Sequence, residues 1–150
     1  MIEQSASIVI NRPAAEVFAV VTDVTRMGEW SPECTSGRWV APATGPAMGA
    51  TFEGDNVATL GPITHKRWTT TSEIVDLVPD RVFEFLAEDI TTWRYELVEH
   101  DGATTLTESF SHAPFSGMQG FVYNTLVRRP QALRKGLHQT LAKMKQAIET

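Results

Sequence analysis

Cysteine is almost absent from this sequence, since Cys34 is the only one among 150 residues. A single thiol cannot form an intrachain disulfide, and it cannot supply a cysteine-rich zinc site. A chain without disulfides suits a reducing compartment, so we expect a cytoplasmic protein.

Long apolar runs are also missing. No run approaches the roughly 20 residues that cross a bilayer, and the first twelve residues lack the basic and apolar regions of a signal peptide. We therefore expect a soluble protein without a transmembrane segment.

Positive charge is in deficit, because the net charge is −5. This balance argues against nucleic-acid binding, which normally requires a basic patch or stripe. One basic cluster occurs near the C-terminus and consists of Arg128, Arg129, Arg134 and Lys135. The simpler interpretation of this cluster is a solvated helix face.

Motifs for metals, nucleotides and nucleophilic catalysis are not found. His65, His100 and His138 lack the helical i, i+4 pairing of a metal site, and no H-E-x-x-H occurs. The glycines are scattered over turns rather than grouped in a phosphate-binding loop. No G-x-S-x-G is present, and no base is evident beside Cys34. We expect neither a metal nor a cofactor.

Alternation of apolar and polar residues is the dominant pattern that is present. Between residues 49 and 110, aromatic and β-branched residues alternate with polar ones in several runs, which is typical of antiparallel strands with one covered face. Asp101-Gly102 is a strong hairpin signal, and Gly61-Pro62 predicts another turn. The predicted strands are 6–11, 35–40, 50–57, 65–78, 81–88, 91–99 and 104–111.

Helical periodicity occurs at both ends of the chain. After Pro13, a stripe of apolar residues predicts a short helix from 14 to 21, and a second helical piece is expected over 24–30. A long C-terminal helix is predicted, with Pro130 near its start and a kinked helical turn over 119–127 before it. Its apolar stripe consists of Leu133, Leu137, Leu141, Met144 and Ile148. These elements predict an α+β fold in one domain, residues 1–150.

Several short motifs occur in one characteristic order. They are F-x-G-x-N at 52–56, R-W-x-T-x-S at 67–72, P-x-R-x-F-x-F at 79–85 and W-R-Y-E-L at 93–97. With the segments 10–18 and 102–109, they make the sequence resemble the polyketide cyclase/dehydratase and lipid-transport family, within the START-like helix-grip (SRPBCC) superfamily. The resemblance implies a seven-stranded antiparallel sheet wrapped around the long C-terminal helix. It also implies an internal cavity, but no particular reaction.

Strand phase indicates which side chains would face that cavity. The candidate ligand-binding residues are Phe52, Trp68, Phe85, Trp93, Tyr95, Phe110, Leu137 and Leu141. These side chains either line a cavity or fill a core, and one ring can do both. The side chains that could close the cavity mouth, or simply anchor the short helices, are Met27, Trp30, Met118 and Phe121.

Glu108 is the strongest single candidate for a functional residue, because it lies on the same face of its strand as Leu106 and Phe110. Desolvation of an inward carboxylate raises its pKa, so Glu108 could act as a general acid or base, or hydrogen-bond a ligand. The alternatives are an ion pair with an arginine, or a bulge that turns Glu108 to solvent. Glu84 has the opposite phase to its aromatic neighbours and is weaker. His112 ends the same strand as Glu108, where it could transfer protons or simply be exposed.

Three functions remain open at this stage. The first is binding of a small hydrophobic, lipid- or polyketide-like ligand by a carrier or sensor, which predicts a largely apolar pocket of about 300–1,000 Å³. The second is a cyclase or dehydratase in which Glu108 and His112 are the acid and base and Tyr95 or Trp68 is the donor. The third is a protein-interaction module, and no sequence feature selects it. The oligomeric state is not predicted.

Overall fold

Seven strands form one antiparallel sheet in a computed structural model of the chain, which describes residues 2–60, 64–112 and 129–150. The strands are β1 (Ile2–Ile10), β2 (Cys34–Trp39), β3 (Thr51–Leu60), β4 (Thr64–Val78), β5 (Val82–Ala87), β6 (Thr91–His100) and β7 (Ala103–His112). Their spatial order is β1-β7-β6-β5-β4-β3-β2, so β1 crosses over to pair with β7. The predicted seven-stranded α+β architecture is confirmed.

Two short helices follow β1, namely α1 (Ala14–Val21) and a 3₁₀ helix (Val24–Glu29). The residue before α1 is a proline, which offers no side-chain oxygen to the first turn. Instead, the Ala14 N–H donates to Oε1 of Glu99 on β6 at 2.6 Å. A carboxylate at this position satisfies a free N–H and complements the helix dipole. The first helix is confirmed at its predicted bounds, and the second helical piece is 3₁₀ rather than α.

The long helix α2 (Arg129–Glu149) is hydrogen-bonded near its C-terminus to the end of β1 and to the residue that follows this strand. Lys145 donates to the carbonyl of Val9 at 2.7 Å, and the N–H of Asn11 donates to Glu149 at 2.8 Å. With 21 residues, α2 spans about 31 Å, close to the length of β1, so its N-terminal end lies toward the other end of β1. The predicted apolar stripe is buried at Leu137, Leu141, Met144 and Ile148.

Sheet register determines the inner face, which we define as the face covered by α1 and α2. One row across this face joins Phe83, Tyr95, Glu108 and Ala6. The next row joins Ile74, Phe85, Trp93, Phe110 and Gln4. The buried core contains most of these side chains. The strand phases predicted for β5, β6 and β7 are therefore confirmed.

A bulge in β4 is a feature that the alternation pattern does not reveal. The register with β5 shifts between Ile74 and Asp76, so Leu77 pairs with Phe83 and also faces inward. Extra residues of this kind change the phase of a strand locally.

The outer face is polar and carries an ion network. Arg94 contacts the carboxylates of Asp76, Glu84 and Glu96. Glu84 therefore lies on the outer face of the sheet, as its strand phase predicted, and the Arg94 side chain points away from the interior.

Some predicted features lie outside what the structure describes: the Gly61-Pro62 turn, the helical turn over 119–127, and the side chains of Met118, Phe121, Arg128, Arg129 and Leu133. Within the described ranges, no helix is both long and apolar enough to cross a bilayer.

Two glycines allow the 3₁₀ helix to touch β2 through backbone atoms. A Cβ at Gly37 would lie 2.2 Å from the carbonyl oxygen of Val24, and one at Gly28 would lie 2.3 Å from that of Thr35. Both distances are far below van der Waals contact, and backbone cannot move aside as a side chain can. The position of the 3₁₀ helix therefore depends on both glycines.

Gly37→Ala is expected to lower the free energy of unfolding by about 2 kcal/mol or more, because the added methyl forces the two backbones apart. Urea unfolding measures this change. Gly45→Ala is the matched control, because its Cβ meets no described atom within 4 Å. Equal stability of the two variants would contradict the close approach.

Candidate functional site

The centre of the inner face holds a buried carboxyl group, that of Glu108, which is 2% exposed. The register of β7 with β1 and β6 is unbroken, so Glu108 lies between Ala6 on one side and Tyr95 on the other. The Tyr95 hydroxyl donates to Oε2 of Glu108. Oε1 has no hydrogen-bond partner among the described residues. The bulge and the arginine pair considered for Glu108 are both wrong within this part of the chain.

Burial changes the proton affinity of both groups. Desolvation raises the pKa of Glu108 from 4.5 to about 7, although the hydrogen bond from Tyr95 opposes this rise. Burial, and then the nearby Glu108, raise the pKa of Tyr95 well above its ordinary value. Near neutral pH, Glu108 can therefore gain or lose a proton while Tyr95 keeps its own. Groups with such pKa values are common at functional sites.

His112, the other acid/base candidate, is the last residue of β7 and is 5% exposed. Its ring lies nearly parallel to that of Phe110, with centroids 6.1 Å apart and an interplanar angle of 10°. Four residues of extended strand separate His112 from Glu108, which corresponds to about 14 Å. The two side chains therefore cannot both contact one small chemical group, but they can contact the two ends of an elongated molecule.

Aromatic rings surround the carboxyl group on the inner face. Phe83 stacks on Tyr95 at 6.1 Å between centroids, and Trp93 packs on Phe110 at 5.2 Å. Trp93 is only half-buried although Phe110 beside it is buried. The predicted ligand-binding residues Phe52, Phe85, Leu137 and Leu141 are also buried in the core.

Trp68 is the predicted ligand-binding residue that lies away from this group. It belongs to the part of β4 that pairs with β3 alone, since pairing with β5 begins at Ser72. There Lys66 lies over its ring at 5.6 Å. Of the side chains predicted at the cavity mouth, Met27 is half-buried and Trp30 is buried against the core.

Positive charge is scarce on the inner face. Among its described positions, only Lys66 and His112 can carry it, and both lie toward the end away from α1. The described basic residues of α2 are exposed, apart from Lys145, which pairs with Glu149. No group of three or more possible metal ligands occurs among the described residues.

Two surface grooves formed by described residues are separate from Glu108. The larger, of about 610 Å³, is mainly polar and includes Ser5, Arg94 and Ser109 of the outer face. The other, of about 340 Å³, lies around Asp55, Asn56 and Trp68. Neither is lined by Glu108 or Tyr95, and neither offers a buried carboxyl group that can exchange a proton and has an oxygen without a described partner.

Sequence reasoning missed Ala6 as a neighbour of Glu108. The pairing of β1 with β7 joins residues about a hundred positions apart, and no local pattern reports it. The small side chain is the only signal, because the other described inner-face residues of β1, Gln4, Ile8 and Ile10, are larger.

Glu108 is expected to make stability depend on pH. Its pKa is higher in the folded protein than in the unfolded chain, so the contribution of Glu108 to stability is fully present below about pH 4.5 and is lost as the pH rises through about 7. Between about pH 4.5 and about pH 8, the free energy of unfolding should fall by about 3 kcal/mol more in the wild type than in Glu108→Gln. Urea unfolding at both values measures the difference, and parallel pH profiles would contradict the burial of an ionisable carboxyl.

Tyr95→Phe is expected to raise the pKa of Glu108 further, because the hydrogen bond from Tyr95 stabilises the ionised form. Carbon-13 NMR titration of the Glu108 carboxyl carbon measures it. Trp93→Phe on the same face is the control and removes no hydrogen bond to Glu108. A pKa unchanged by Tyr95→Phe would show that Tyr95 does not donate to Glu108.

Comparisons with known proteins agree with this architecture. The sequence matches the family described as polyketide cyclase / dehydrase and lipid transport over residues 1–149. It is 31% identical to a polyketide-cyclase-like protein of Corynebacterium glutamicum, covering 98% of this chain and 91% of that one, with a TM-score of 0.67.

Two more distant structures share the fold. A protein of Chromobacterium violaceum gives a TM-score of 0.75 at 13% identity, with 100% of this chain and 99% of that one covered. An AHSA1-like protein of Aeromonas hydrophila gives 0.64 at 18% identity, with 97% and 92% covered. No curated protein matches the sequence significantly. On the full-length family match, the chain belongs to the polyketide cyclase / dehydrase and lipid transport family.

Proposed function

We propose that the protein binds a small hydrophobic molecule, lipid- or polyketide-like, between the inner face of the sheet and α2, as a carrier or sensor. The observation that carries this proposal is Oε1 of Glu108, a buried oxygen without a described partner. Leaving such a group unsatisfied costs about 1–3 kcal/mol, and buried polar atoms in folded proteins are normally paired. A bound ligand would supply the missing partner.

The aromatic surroundings of Glu108 also support the proposal. Trp93 keeps part of its ring uncovered beside the buried Phe110, so apolar area is left for a ligand to cover. Binding sites for small molecules typically combine apolar walls with a few polar groups that orient the ligand. The rings and the single carboxyl group match that composition. The family description, which includes lipid transport, is in keeping with such a ligand.

A second candidate is an enzyme of the cyclase or dehydratase type. It is favoured by the pKa of Glu108, which lies near 7, where a carboxyl group can both remove and return a proton. Tyr95 adjoins Glu108 as the predicted donor, whereas His112 and Trp68 lie farther along the inner face. Full activity of a Glu108→Gln, His112→Ala double variant on a poly-ketone substrate would remove this assignment.

A protein-interaction module has the least support. The most exposed large apolar residues in the described ranges, Val9, Met48, Ile90 and Val98, belong to different strands and loops. Only Val9 and Val98 share a row of the sheet, separated by Thr105. We therefore rank ligand binding first and enzyme activity second.

Binding of the neutral fluorophore N-phenylnaphthylamine tests the first candidate. We expect saturable binding of one molecule per chain and weakening of about tenfold in Trp93→Ala, which corresponds to the loss of roughly 50 Å² of apolar contact. The control is Val98→Ala, which truncates an apolar side chain on the outer face of the same strand and should leave binding unchanged.

Equal effects of the two substitutions would show that the fluorophore does not bind at the inner face. Absence of saturable binding would reject the carrier or sensor assignment for this class of probe. Native mass spectrometry of the purified protein, followed by denaturing extraction, would identify any molecule that occupies the site.

A further inference from the structure

We propose that the ligand places an uncharged oxygen, a carbonyl or a hydroxyl, against Oε1 of Glu108, and that a ligand carboxylate is excluded from this position. The inference rests on the proposed function and specifies the chemical class of the ligand. Ligands with a neutral oxygen, such as ketones, quinones, phenols and alcohols, are thereby favoured over fatty acids with their head groups at Glu108.

The two oxygens of the Glu108 carboxyl group differ in their hydrogen bonds. Tyr95 on β6 occupies Oε2, so the inward partner of the ligand is Oε1. On the opposite side, β1 contributes only the methyl group of Ala6. In the row that contains Glu108, Oε1 is therefore the carboxyl oxygen left without a described partner, and the smallest side chain of the row lies next to it.

The described positive charges of the sheet lie away from Glu108. A ligand carboxylate beside Glu108 would add a second negative charge to a buried site, and such a pair needs a cation or a shared proton. Arg94, on the strand next to β7, is held on the outer face by three carboxylates. Lys66 lies on the distant part of β4, and His112 lies at the far end of β7. No described cation can therefore neutralise a ligand carboxylate at Glu108.

The rings next to Glu108 specify the body of the ligand. Trp93 and Phe110 occupy the next row of the inner face, between Glu108 and His112. A molecule that starts at Oε1 and extends along β6 and β7 toward His112 passes these aromatic side chains within about 10 Å, the length of three residues of strand. Flat, fused-ring ligands fit this path.

Protonation of Glu108 distinguishes the two kinds of oxygen. A neutral carboxyl group can donate from Oε1 to a ligand carbonyl while Oε2 accepts from Tyr95, whereas an ionised carboxylate only accepts. A hydroxyl ligand can bond to either form. The groups beside Glu108 on the inner face are Tyr95 of β6, Ala6 of β1, and Leu106 and Phe110 of β7. The described buried residues of α2 are Leu137, Thr140, Leu141, Met144 and Ile148. Among these, Tyr95 alone titrates, and it stays protonated.

Displacement of N-phenylnaphthylamine by matched tricyclic compounds tests the proposal. Fluorenone and fluorene have nearly the same shape and differ by one carbonyl oxygen. At about pH 6, fluorenone should bind roughly three- to tenfold more tightly than fluorene, the range expected for one hydrogen bond. At about pH 8.5 this preference should shrink, while fluorenol keeps its affinity. Fluorene carboxylic acid should bind more weakly than fluorenol at both values.

Three variants separate the effect of the carboxyl group from that of its apolar surroundings. Glu108→Leu should abolish the preference for fluorenone over fluorene while the fluorophore still binds. Glu108→Gln should keep the preference and make it independent of pH, because an amide can always donate. Glu84→Gln is the matched control, since Glu84 is a carboxylate of β5, two strands from β7, that faces outward to Arg94, and it should behave like the wild type.

The outcomes distinguish this inference from the proposed function. Saturable fluorophore binding, with equal affinity for fluorenone and fluorene in the wild type and in Glu108→Leu, would overturn the inference and leave the hydrophobic site standing. Tight binding of fluorene carboxylic acid that depends on Glu108 would overturn it as well. If neither the fluorophore nor any tricyclic compound binds, the proposed function fails and the inference fails with it.

Discussion

The continuous hydrogen-bonding register of β6, β7 and β1 is the constraint on which the interior depends. Side chains alternate between the two faces with a period of two, so a shift of one residue in β7 would turn Glu108 outward and Ser109 inward. No bulge interrupts these three strands in the described structure. The same register brings Tyr95 opposite Glu108 and leaves Ala6 on the other side. The polar centre of the site is thus a property of strand pairing rather than of a loop.

A carboxyl group at this depth is unfavourable for folding. A leucine of similar size would fill the space without an unsatisfied oxygen or a dependence on pH. The hydrogen bond from Tyr95 offsets only part of the desolvation, since the pKa of Glu108 remains raised. The position of Glu108 is therefore better explained by contact with something that enters the site than by stability. Local departures from the rules of packing are expected where a protein binds or reacts.

Much of the fold could be predicted from the sequence because its signals are local. Alternation located the strands, and the spacing of Leu137, Leu141 and Met144 located the buried stripe of α2. Strand phase also placed Glu108 on the inner face. The partners of that residue could not be predicted, since Tyr95 and Ala6 reach it through pairing between distant segments. The bulge after Ile74 and the capping of α1 by Glu99 also depend on tertiary contacts. The sequence around Gly28 and Gly37 also carries no local signal that the backbones of the 3₁₀ helix and β2 approach closely at these residues.

The hydrogen bonds between α2 and the end of β1 limit the pairing of a further strand with the sheet. β1 is an edge strand, and edge strands expose unpaired backbone groups to which another chain can add. Lys145 occupies the carbonyl of Val9, which points away from β7, and Glu149 occupies the N–H of Asn11 just beyond the strand. An eighth strand could not pair at Val9 without first displacing the side chain of Lys145. The helix thereby protects this edge from intermolecular β-pairing and from strand exchange between copies of the chain.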